Sequence, residues 1–240
     1  MADYPPPPPG GWGAGAPPAA PPGDPYAAER ELASWATDNG FELNAQPDPS
    51  YYQGWYPFQY LPRIATVVRE LRGKLDEAPL FVAEVQLADP LGQLVGGART
   101  LFFFLLSDKL RYRASVRSKQ TAGVADDLNR GLKQLGNLFS SGGASPPAVG
   151  AVLGDPVLEQ ACDVSVPSRD EGNWAITMPL RQLVAQPTFR GIVELRAGGM
   201  AVNLFGHDQL SKTTLESCLA TVSALYRAAR TYPEPATPGQ

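Results

Sequence analysis

With 240 residues, 43% of them hydrophobic and only 18% charged, the chain carries enough apolar surface for a core that needs no disulfide or metal staple. Its net charge of −4 argues against general affinity for nucleic acid, because phosphate contacts need an excess of cations, and no nucleic-acid partner is expected. Two isolated cysteines, Cys162 and Cys218, exclude a disulfide framework and the usual zinc spacings, and they read as packed thiols in a reducing compartment.

Residues 1–23 hold the run Pro5 to Pro9, Gly10-Gly11-Trp12 and further proline pairs, with too little apolar periodicity to dock, so they are expected to form a disordered Pro/Gly/Ala-rich tail. No Lys or Arg precedes Arg30, so no secretory leader is read here. Asp24-Pro25 has the form of a helix start. The helix that follows should bury Ala28, Leu32, Trp35 and Ala36 and close at Asn39-Gly40. The stretch Tyr51 to Tyr60 is loop-like and dense in aromatics, and it is expected to lie as a lid over the core. Residues 61–73 fit either a helix or a hairpin strand.

Strands are expected at Leu80–Ala88, Thr100–Ser107 and Leu110–Ser118, the last two joined by a tight turn at Ser107-Asp108-Lys109. The run Leu101 to Leu106 has no polar alternation, so it should be buried on both faces, and it is too short to cross a bilayer. An amphipathic helix over 124–139 precedes the Ser/Gly/Pro-rich linker 140–150. Beyond it the sequence predicts a short helix near Pro156–Gln160, a strand Cys162–Val166, a helix Trp174–Ala185, and strands Phe189–Arg196 and Met200–Phe205 joined by Ala197-Gly198-Gly199. The last helix carries an apolar stripe from Leu215 to Ala229 and a Thr213/Glu216 capping pair. Residues 233–240 are expected to be a disordered tail. The fold class that follows is α+β: antiparallel sheets packed against amphipathic helices, arranged as two small units, 24–139 and 151–232, joined by the linker 140–150. The order of elements in the second half resembles bacterial α+β domains; the likeness is one of arrangement and carries no functional residue.

No known cofactor or metal motif is present. Gly96-Gly97 and Gly198-Gly199 lack phosphate-loop spacing, there is no GxSxG elbow, and His207, beside Asp208, reads as a loop residue ahead of the last helix. The most distinctive pattern is Lys109, Arg111, Arg113, Arg117 and Lys119, all at odd positions, which a strand would place on one face. Such a face is either solvated and balanced by carboxylates such as Glu84, or turned toward an acidic partner. Tyr51, Tyr52, Trp55 and Tyr56 offer a second contact surface, or else core packing. The resulting expectation is a cytoplasmic protein–protein interaction or regulatory protein that binds an enzyme and holds it inactive. Two other readings stay open: an enzyme using carboxylates or His207, for which a concave pocket would speak, and a peripheral membrane adaptor without a transmembrane segment.

Overall fold

The uninterrupted apolar run of residues 101–106 belongs in an interior strand, and in the computed structural model it lies fourth in an eight-stranded antiparallel sheet. The structure describes residues 26–88, 99–120 and 153–230; the expected helix 124–139, the linker 140–150, both terminal tails, Asp24-Pro25 and Gly96-Gly97 lie outside them. The strands are β1 (Glu42–Asn44), β2 (Ile64–Leu75), β3 (Ala78–Leu87), β4 (Arg99–Leu106), β5 (Ala114–Ser118), β6 (Cys162–Ser165), β7 (Gly191–Arg196) and β8 (Gly199–Leu204). Their spatial order is β1-β2-β3-β4-β8-β7-β5-β6. The helices are α1 (Ala27–Asp38), α2 (Pro49–Gln53), α3 (Pro156–Ala161), α4 (Arg169–Ala175), α5 (Met178–Val184) and α6 (Lys212–Ala229).

The α+β class is as expected, but strands from both sides of residues 140–150 build one sheet and not two. β4 pairs with β8, Phe103 opposite Val202, and β5 lies between β7 and β6. The expected β4–β5 hairpin therefore does not form. The β7–β8 hairpin, buried along nearly its whole length on both faces, takes the central place between them. β5 also starts later than expected. Leu110 is held in a turn, its N–H donating to the Ser107 carbonyl at 3.2 Å and its carbonyl accepting from Gly198 N–H at 2.8 Å, so only residues 114–118 join the ladder.

Residues 64–75 settle as a strand, as suits the β-branched pair Val67-Val68. Asp76 and Glu77 form the two-residue turn between β2 and β3, with φ of 49° and 70°. The helix expected from Trp174 to Ala185 is two helices. Thr177 breaks the run by capping α5, accepting from Leu180 N–H at 3.3 Å, while its hydroxyl donates to the Ala228 carbonyl at 2.8 Å. α6 is likewise capped by Ser211, which accepts from Thr214 N–H at 3.2 Å, in place of the expected Thr213/Glu216 pair. α1 has no side-chain cap at its start, and Ala28 is exposed while Leu32 and Ala36 are buried. Its end is a Schellman motif: Gly40 at φ 72° lets Phe41 N–H reach the Ala36 carbonyl at 2.7 Å, and the Phe41 ring stacks on Trp35.

The sheet separates two apolar clusters. On one face Leu80, Val82, Phe103, Leu105, Val193 and Val202 pack against Leu32 of α1, Leu158 of α3, Leu180 of α5, and Leu215, Val222 and Leu225 of α6. On the other face Ala83, Val85, Phe102, Phe104, Ile192 and Ala201 are covered by Tyr52 and Trp55 of the aromatic stretch and by Leu61 just after it, and not by any long helix. Among the described residues no helix is long and apolar enough to cross a membrane.

Candidate functional site

The aromatic stretch is built onto the sheet around one side chain. Phe104 of β4 meets Tyr52 at 5.1 Å, Trp55 at 4.9 Å and Phe58 at 6.5 Å between ring centroids. Gly199 of β8 makes room for this, because a Cβ there would stand 2.7 Å from the Trp55 ring. Tyr52 and Trp55 are buried, whereas Tyr51, Tyr56, Phe58 and Tyr60 are half-buried and close the outer surface. The expected lid is thus a fixed second layer of the core.

Two buried glutamates fasten the ends of this layer. Glu70 of β2 accepts from the Tyr52 hydroxyl, from Arg72 Nε and from Asn44 Nδ2, and its proximity, after burial itself, pushes the Tyr52 hydroxyl well above the usual phenol range. Glu194 of β7 accepts from the backbone N–H of Tyr60 at 2.6 Å and of Leu61 at 3.2 Å on one oxygen, and from the Ser115 hydroxyl at 2.6 Å on the other. Between these ends Tyr56 staples the loop to β2, its hydroxyl accepting from Ile64 N–H at 2.5 Å and donating to the Pro62 carbonyl at 3.3 Å. A third buried glutamate, Glu84, works on the helix face. It accepts from Arg69 at 2.6 Å, Arg99 at 3.1 Å and Leu210 N–H at 3.1 Å, which anchors the loop before α6. Glu84 therefore does not balance the expected cationic strand face.

That face is divided by the late start of β5. Lys109, Arg111 and Arg113 are exposed in the connection ahead of the strand, and Arg117 and Lys119 stand at its far end. Arg113 turns to the aromatic layer, donating from Nη2 to the Pro57 carbonyl at 3.5 Å. Arg117 faces Tyr60, where burial first, then Asp163 and Glu194, push the phenol up to about 12 against the pull of this guanidinium. Lys119 leaves the group: it donates to the Glu159 carbonyl and lies 3.7 Å from Asp163.

Arg196, which the sequence pattern does not single out, completes the surface. Its guanidinium lies 3.9 Å above the Trp55 ring, and Nη1 donates to the carbonyls of Trp55 at 2.8 Å and Gly54 at 3.3 Å. Burial first, then the neighbouring Arg113, lower its proton affinity, while the Tyr51 hydroxyl acts the other way. The signals for the residues outside that pattern are weak: a carboxylate at an inward position of an apolar strand for Glu194, and an arginine closing a strand before a tight turn for Arg196.

His207 is half-buried in the loop after β8, and its carbonyl accepts from Leu101 N–H at 3.1 Å. Both cysteines are buried free thiols; burial pushes Cys162 up to about 11 and raises Cys218. Among the described residues no cluster of His, Cys, Asp or Glu has a metal-holding arrangement.

No protein-family model and no curated protein matches the chain. A crystal structure of the mycobacterial trehalose monomycolate transport factor A, TtfA, is similar with a TM-score of 0.49 at 11% identity, over 85% of this chain and 97% of that one.

Proposed function

We propose that the chain is an interaction or regulatory protein of the cytoplasm that binds an enzyme and holds it inactive, with the sheet face bearing residues 49–62 and Arg113 as its contact surface. The observation that carries this reading is the contact of Arg113 with Pro57, which joins in space the cationic and aromatic features that lie 56 residues apart in the chain. Tyr, Trp and Arg are the side chains that contribute most where proteins meet, since they bring large contact area at modest ordering cost. Here Glu70, Glu194 and Tyr56 already fix the backbone that presents them, so binding would lose little further entropy.

Replacing Lys109, Arg111 and Arg113 together with Glu tests this. All three are exposed, and the hydrogen bond of Arg113 to Pro57 is long at 3.5 Å, so folding stability should change by no more than about 1 kcal/mol. The wild-type chain is expected to recover an enzyme from its native source and lower that enzyme's activity, and the variant to do neither. Equal recovery and equal inhibition by a well-folded variant would refute the assignment of this face.

A further inference from the structure

We propose that Arg113 and Arg196 form a paired receptor for a carboxylate presented by an acidic segment of the partner protein. This rests on the reading of the aromatic face as a contact surface and names the chemistry that the face recognises.

Both guanidiniums are oriented by one loop. Arg196 is held by the carbonyls of Gly54 and Trp55 and by the Trp55 ring beneath it, and Arg113 reaches the carbonyl of Pro57. Carbonyl oxygens orient an arginine without neutralising it, so two full positive charges are held by one short stretch of the loop, residues 54–57. Among the described residues no carboxylate forms an ion pair with either one. Glu194, two residues before Arg196 on the same strand face, has both oxygens occupied by Tyr60, Leu61 and Ser115. Burial first lowers the proton affinity of Arg196, Tyr51 opposes this, and Arg113 adds to it, as expected of two cations that feel each other.

A guanidinium presents its remaining N–H groups as a planar fork that matches a carboxylate. Half-buried Tyr51, Tyr56 and Phe58 lie in the same layer and offer apolar contact to the residues flanking that carboxylate. The apolar rings beside the two cations favour a peptide segment, whose neighbouring side chains can pack on them, over free phosphate.

The test is a titration of the full-length chain, following the arginine Nε–H resonances by NMR, with a capped peptide of alternating Glu and Phe and, separately, with inorganic phosphate. The expected result is a saturable shift of the Arg113 and Arg196 signals with the peptide. Its affinity should fall about tenfold in R113Q and in R196K, and fall again as salt rises from about 0.05 to 0.5 M. Arg113 is exposed, so R113Q leaves folding intact, and R196K keeps a cation above Trp55. No saturable shift, an unchanged affinity in both variants, or phosphate binding as tightly as the peptide would each overturn the proposal. Loss of the peptide site while a partner still binds at this face would remove the receptor alone. A working peptide site with no partner bound there would remove the broader reading and leave the receptor.

Discussion

Glu70, Glu84 and Glu194 show how a buried carboxylate can position chain that is distant in sequence. Each sits at an inward strand position and accepts from a group outside the sheet: Tyr52 of α2 for Glu70, and the loop residues Leu210 for Glu84 and Tyr60 and Leu61 for Glu194. A buried charge is tolerated only when such donors replace water. For Glu194, substitution by Ala would leave two backbone N–H groups without an acceptor, at a cost of about 2–4 kcal/mol, whereas Gln keeps one oxygen and should cost about 1 kcal/mol. Denaturant unfolding of E194A and E194Q checks the ordering; equal stabilities would mean that the carboxylate does not hold the aromatic layer. A different logic applies to Asp76 at the β2–β3 turn. Arg227 first, and then Ser223, hold its carboxyl down to about 2. Because the folded value lies below the ordinary aspartate range, its contribution to stability is complete above about pH 5 and is lost progressively as the pH falls through about 2. The stability difference between wild type and Asp76→Asn should therefore be constant from neutral pH to about 5 and shrink below about 4. A difference that persists unchanged at the acid end would contradict this pairing.

The aromatic stretch fills the place that a helix layer takes on the opposite face of the sheet. Phe104 is its centre, and its truncation to Ala should cost about 3–5 kcal/mol. The same change should loosen residues 49–62 before α6, which amide exchange would read as early loss of protection at Tyr60 and Leu61. Uniform loss across both faces would show instead that the two clusters unfold as one. Much at this scale is legible from the sequence: β3, β4, the β7–β8 hairpin, α1, α3 and α6 are marked by apolar runs, glycine turns and 3.6-residue stripes. The divided helix does carry a local mark, Thr177 as cap with Pro179 in the first turn, which the apolar spacing across 174–185 obscures, whereas the shortened β5 depends on a hydrogen bond to a distant element, Gly198. The pairing of Arg113 with the aromatic layer is hidden for the same reason. The odd-position pattern of cations reads as one strand face only while the chain is assumed extended from Leu110, and the turn at Leu110 breaks that premise.

For the whole molecule the order β4-β8-β7-β5 is decisive. It threads the last hairpin of the chain between two earlier strands, so the described residues on both sides of 140–150 share one sheet and its two apolar clusters. The consequence for function is that helices cover one face while the other ends in a fixed aromatic and arginine surface. These faces can be told apart by a photo-crosslinking amino acid placed at Gln59, exposed between Phe58 and Tyr60, or at Gln182, exposed on α5 beside α6. If the aromatic face is where a partner protein binds, the partner is crosslinked from position 59 and not from position 182. Crosslinking from 182 with none from 59 would contradict the account.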